Sequence, residues 1–102
     1  MLLKIDTEAD GDTLRVRLAG EFDLTAIDDF RRQVENASID WRHAEVDLRD
    51  VVFMDSSGLQ ALVSLNNRAR ERGRVITLVS VSEPVARLLA LTGLDGQFTV
   101  RD

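Results

Sequence analysis

Apolar and polar residues alternate at the start of the chain. Leu3 and Ile5 share one face, Glu8-Ala9-Asp10-Gly11-Asp12 is polar, and Leu14, Val16 and Leu18 then alternate with Arg15 and Arg17. Two period-two runs about an Asp-Gly turn predict an antiparallel hairpin with one wet face. Gly20-Glu21-Phe22-Asp23 breaks the alternation, and Ile27, Phe30, Val34 and Ala37 then recur at helical spacing. This helix has two candidate N-caps: Thr25, through its spacing to Asp28, and Asp23. After a polar stretch containing Trp41, Ala44-Glu45-Val46-Asp47-Leu48 reads as a strand.

Val51-Val52-Phe53-Met54 is apolar and leads into Asp55-Ser56-Ser57-Gly58. From Leu59 the period changes to 3.6, with Leu59, Leu62, Val63 and Asn66 on one face and Ala69 and Arg70 continuing it. Arg68, Arg70 and Arg72 complement the dipole at the end of this helix, and Gly73 stops it. Val75-Ile76-Thr77-Leu78-Val79-Ser80-Val81 is rich in β-branched residues, which suits a strand covered on both faces. Ser82-Glu83-Pro84 announces a third helix with Val85, Leu88 and Leu89 on one side and Gly93 as its stop. Phe98-Thr99-Val100 closes the chain as a short strand. The order β-β-α-β-α-β-α-β predicts an α/β fold: a mixed sheet with an antiparallel N-terminal hairpin followed by right-handed βαβ crossovers.

Composition narrows the function. The chain has 102 residues, 44% of them apolar and 30% charged, which fits one domain over residues 1–102 and excludes a disordered chain. The 18 acidic residues outnumber the 13 basic ones, giving a net charge of -5, which argues against a partner made of nucleic acid. Cysteine is absent, which excludes disulfides, thiolate metal sites and Cys nucleophiles. No apolar run reaches the ~18 residues of a membrane span. Met1-Leu2-Leu3-Lys4 is not a signal peptide, so a cytoplasmic location without membrane insertion is expected.

Met54-Asp55-Ser56-Ser57-Gly58-Leu59 carries the chemistry. It joins a buried approach to the start of an amphipathic helix, where backbone N–H groups without internal partners can accept an anion, including a phosphate esterified to serine. Gly58 is expected to leave the backbone open to a second molecule. The competing reading is helix capping alone, since Ser57 and Gln60 have capping-box spacing. Capping needs one residue, which leaves Asp55 and Ser56 unexplained.

This segment resembles the signature of the anti-sigma factor antagonists, the single-domain STAS proteins. Gly20-Glu21-Phe22-Asp23 is similar to the family's turn after the second strand. Gly73 with Val75-Ile76-Thr77-Leu78, and Leu88-Leu89 through Thr92-Gly93-Leu94, match in order and spacing. The likeness spans nearly the whole chain. It departs at the end, where many relatives continue into a further helix after the last strand.

The resemblance implies a STAS-type fold and makes Ser56 the phosphate acceptor. Ser57 is then the expected cap, with Asp55 shaping the loop, and Glu21, Asp23, Asp55, Ser56, Ser57, Gly58 and Leu59 form the expected partner-binding set. The implied partner is an anti-sigma factor with a histidine-kinase-like ATP-binding fold. The unphosphorylated chain captures that factor and frees the sigma factor, in transcription regulation of the stress-response type. The same partner phosphorylates Ser56, and a metal-dependent serine phosphatase resets it. No cofactor is expected in this chain, because ATP and magnesium belong to the partner.

Other residues are read against plainer roles. Glu21 and Asp23 are either solvated turn residues or docking residues. His43 reads as a strand-entry residue, Trp41 as a contact under the loop, and the arginines from 68 to 74 as a solvated helix end. Asp47, Asp50 and Asp55 do not form an expected metal site. A different class, a receiver with Asp55 as phosphoacceptor, fails because such chains open with a βα unit and need a late lysine, whereas the only lysine is Lys4. Serine catalysis lacks a positioned base, so an enzyme is not expected. The alternative binding role is a STAS adaptor subunit of a membrane lipid transporter without a phospho-switch.

Overall fold

The computed structural model describes residues 2–35, 37 and 40–102. Strand β1 (Leu3–Asp10) pairs antiparallel with β2 (Thr13–Phe22). Gly11 takes the left-handed conformation at the first loop position, with φ 62°. A single 3-10 turn (Leu24–Ala26) leads into α1 (Ile27–Glu35). Then come β3 (His43–Met54), α2 (Ser56–Glu71), β4 (Val75–Val79), α3 (Glu83–Thr92), a second 3-10 turn (Asp95–Gln97) and β5 (Thr99–Arg101). The order of elements and the mixed sheet are those expected from the pattern.

The five strands lie side by side in chain order, and β2 to β5 are mutually parallel. Each parallel step carries a helix, and right-handed crossovers then place the three helices on one face of the sheet. Alternation shows which face this is. Leu14, Val16 and Leu18 of β2, Ala44, Val46 and Leu48 of β3, and Ile76 and Leu78 of β4 are buried. They form one core with Phe30 and Val34 of α1, Leu59, Leu62 and Leu65 of α2, and Val85 and Leu89 of α3. Arg15, Arg17, Glu45, Asp47 and Thr77 take the opposite phase and face away from the helices.

Three expectations change. The apolar segments 44–48 and 51–54 are a single strand, because register shifts opposite Arg17/Ala19 and Gly20/Glu21 absorb extra residues in β3. The buried positions there become Leu48, Val51 and Met54, so a period of three replaces the period of two. Strand β4 ends at Val79 rather than Val81, since Ser80 turns the chain with φ 52°. The second face of β4 is covered not by a helix layer but by neighbouring side chains: Thr77 is buried, with its Oγ1 2.8 Å from Nε2 of His43.

Ala37 packs against the core but lies beyond the end of α1. Trp41 is buried as a part of the main core, with the Arg74 guanidinium 4.6 Å over its ring. Gly93 ends α3 in the left-handed conformation. Ser82 is the N-cap residue of α3 but makes no side-chain cap bond; its hydroxyl instead donates to the Val51 carbonyl at 2.7 Å and ties the helix to β3.

Candidate functional site

The C-terminal ends of β2 and β3 lie together, with Glu21 beside Phe53 and Phe22 beside Met54. Both strands hand over to helices at this edge, so the starts of α1 and α2 are neighbours. A Cβ at Gly58 would fall 2.4 Å from the Phe22 carbonyl oxygen and 3.0 Å from Cγ of Met54. Gly58 is therefore the point at which α2 presses on the end of β2. This close approach places the last residues of β2, Glu21 and Phe22, and the following Asp23 beside Asp55 and the start of α2 at Ser56, so Glu21 and Phe22 belong to the strand rather than to the expected turn.

Asp55 caps α2. Its backbone is extended, and Oδ1 accepts from the N–H groups of Ser57 at 2.9 Å and Gly58 at 3.2 Å. Its carbonyl accepts from Leu59 N–H at 3.1 Å. This corrects the expectation that Ser57 is the cap: Ser57 is inside the helix, at its second position, and supplies a donor to Asp55 instead. It also corrects the expectation of open N–H groups awaiting an anion. The Asp55 carboxylate is already the anion of this helix end.

Asp23 settles the choice of cap in the preceding turn. Its Oδ1 accepts from Thr25 N–H at 3.0 Å and from the Thr25 hydroxyl at 2.6 Å. The Thr25 hydroxyl holds the Asp23 carboxyl below the usual aspartate range. Asp47, by contrast, accepts from Arg49 N–H within β3, so the aspartates at 47 and 55 serve separate local bonds.

The expected partner-binding residues separate by exposure. Ser56, at the first position of α2, is exposed, while Ser57, Asp55, Glu21 and Asp23 are half-buried. Gly58 and Leu59 are buried, Gly58 against Phe22 and Leu59 in the core. They cannot offer the contact surface expected of them; they hold Ser56 in place. The open-backbone reading of Gly58 fails because the space left by its missing side chain is filled from within the fold.

Side chains that the motif did not point to complete the site. Leu24, Val52 and Phe53 are 72%, 63% and 47% exposed around this edge of the sheet. A cleft of about 370 Å³ runs between α1 and α2, lined on one side by Leu24, Ile27 and Arg31 and on the other by Ser56, Ser57, Gln60, Ser64 and Arg68. The signal for this cleft lay in two matched stripes at helical spacing, 24/27/31 and 57/60/64/68.

Residues 5–101 match the family described as "Mlab, STAS domain". A STAS-domain containing protein of Pseudomonas aeruginosa is 35% identical over 92 residues, covering 90% of this chain and 91% of that protein. The anti-sigma F factor antagonist of Paenibacillus polymyxa is 34% identical over 96 residues, covering 92% and 82%. Among solved structures, the anti-sigma factor antagonist SpoIIAA of Bacillus shares the fold in its unphosphorylated form, with a TM-score of 0.79 at 20% identity over 97% of this chain and 87% of that one. Its phosphorylated form gives 0.76 at 19% identity over 99% and 91%.

Proposed function

The chain belongs to the STAS-domain family, and from that premise we propose that it is an anti-sigma factor antagonist switched by phosphorylation of Ser56. The observation that carries this reading is the setting of Ser56. It is exposed on a capped helix start, while its neighbours are either held in the cap or buried. Exposed Leu24, Val52 and Phe53 surround this edge with the apolar area that a docking surface needs. The likeness to a named anti-sigma F factor antagonist over most of both chains supports the same role.

The unmodified chain binds an anti-sigma factor with a histidine-kinase-like ATP-binding fold and thereby frees the sigma factor. In the reverse step Ser56 Oγ takes the γ-phosphoryl group of ATP. The new O–P bond forms, the bond to the β-phosphate oxygen breaks, ADP leaves, and the hydroxyl proton passes to a base or to solvent. ATP and magnesium belong to the partner, and a serine phosphatase restores the hydroxyl. This chain then acts as a binding protein rather than an enzyme, in the cytoplasm. Among the described residues no helix is long and apolar enough to cross a membrane.

Affinity capture from the source cells, with phosphosite mapping of the recovered chain, tests the reading. An ATP-binding anti-sigma factor should be recovered, with phosphate on Ser56; Ser56→Ala should abolish the modification and Ser57→Ala should retain it. Phosphate chiefly on Ser57 would overturn the assignment. A stable complex with a membrane transporter and no phosphoserine would favour the adaptor role instead.

A further inference from the structure

We infer that Arg31 of α1 is the cation that holds the phosphate on Ser56, so that phosphorylation draws a bridge across the cleft between α1 and α2. The inference rests on Ser56 being the modified residue and concerns what receives the phosphate once it is there. A phosphoserine carries about -1.5 to -2 charge and seeks donors. At most helix starts the free N–H groups would serve, but here those of Ser57, Gly58 and Leu59 are all taken by Asp55. The Asp55 carboxylate adds a like charge, and Asp23 stands on the adjoining turn. With only the N–H of Ser56 itself outside these Asp55 bonds at the helix start, the larger share of the compensation falls to a side chain.

Two cations line the cleft, Arg31 and Arg68. Arg68 is twelve residues along α2 from Ser56, about 18 Å at the helical rise, and is paired with Glu35. Arg31 lies only one turn into α1, about 6 Å along the axis from Ile27. It is exposed and enters no ion pair among the described residues, whereas Arg32 beside it pairs with Asp29. The guanidinium of Arg31 is thus the free, planar donor set on the wall facing Ser56, and a phosphate accepts two of its N–H groups at once. The bridge covers the cleft mouth between Leu24 and Ser56. It removes from the partner both the serine hydroxyl and the cleft beside it.

The test uses the full chain translated with phosphoserine at position 56, which needs no kinase. The phosphorus NMR signal is followed through the second ionisation of the phosphate. Arg31 stabilises the dianion, so Arg31→Gln should raise the titration midpoint by about half a pH unit, less than the roughly 1–3 units of a close opposite charge because Arg31 is exposed to solvent. Arg31→Lys should keep part of the effect. Arg32→Gln removes the same charge from the next position and should leave the midpoint unchanged. Both arginines are exposed, so the variants should fold as the parent does. An unchanged midpoint in Arg31→Gln, or an equal rise in Arg32→Gln, overturns the inference. If cells never phosphorylate Ser56, the switch fails, but this measurement still returns its own answer.

Discussion

A Cβ at position 58 would stand 2.4 Å from a backbone oxygen, and 3.1 Å from Cδ1 of the Phe22 ring. Only the Met54 end could yield; the Phe22 backbone is held in the β2–β3 pairing. Gly58→Ala should therefore cost about 2 kcal/mol, the middle of the range for overpacking. In a chain of this size that lowers Tm by roughly 8–16 °C. Gly96→Ala, where a Cβ meets nothing within 4 Å, is the control and should melt near the parent. Equal melting of the two variants would show that α2 does not press on β2 at Gly58.

The same residues show how far the motif was legible. Its position, its polarity and its place at a helix start were readable from the chain. The division of labour within it was not, because Asp and Ser cap helices about equally well. The spacing of Ser57 and Gln60 allowed a capping box, yet it is Asp55 whose extended backbone, φ -105° and ψ -174°, sets its carboxylate over the first turn. Gly58 was read as exposure for a similar reason. A glycine signals that something comes close, but not whether that thing is a partner or the protein's own strand.

At the scale of elements, alternation predicted β1 and β2 because one face of each meets the helices, whereas β4 was legible from its β-branched run. Alternation failed midway along β3, where two register shifts carry burial from Leu48 to Val51 to Met54. Pairing with β2 decides such a strand, and pairing is not local information. The helix-free face of the sheet is tied together by Glu45 on β3. Arg15 Nε on β2 lies 3.3 Å from one carboxylate oxygen, and Arg101 Nη2 on β5 lies 3.0 Å from the other.

Burial pushes the Glu45 carboxyl up, but the hydrogen bonds and charges of Arg101 and Arg15 outweigh it and hold the group below the usual glutamate range. A carboxyl lowered in the folded state stabilises the protein above its unfolded value and stops doing so as the pH falls through the folded one. Glu45→Gln should thus be less stable than the parent at neutral pH by at most about 1 kcal/mol, since both arginines are partly exposed. Urea titrations should show the gap closing as the pH drops below the usual glutamate range. A gap that stays constant from neutral to acid pH would mean that these ion pairs do not stabilise the sheet.

For the molecule as a whole, the fold separates stability from recognition. The core lies between one sheet face and three helices, while Ser56, Leu24 and the α1–α2 cleft sit at the rim. A phosphate at Ser56 disturbs no buried contact. The repulsion from Asp55 and the attraction to Arg31 oppose one another, so the net effect on folding should stay within about 1 kcal/mol. Binding is different, because docking would strip water from a dianion beside groups fitted to a hydroxyl.

Titration calorimetry of the chain against the anti-sigma factor proposed as its partner, unmodified and with phosphoserine at position 56, tests this separation directly when thermal melts of both forms are run beside it. Affinity should fall about a hundredfold or more, equivalent to about 2.7 kcal/mol. The two melting temperatures should differ by no more than the roughly 4–8 °C that 1 kcal/mol is worth in a domain of this size. Equal affinity of the two forms, or global unfolding of the phosphorylated chain, would contradict the account.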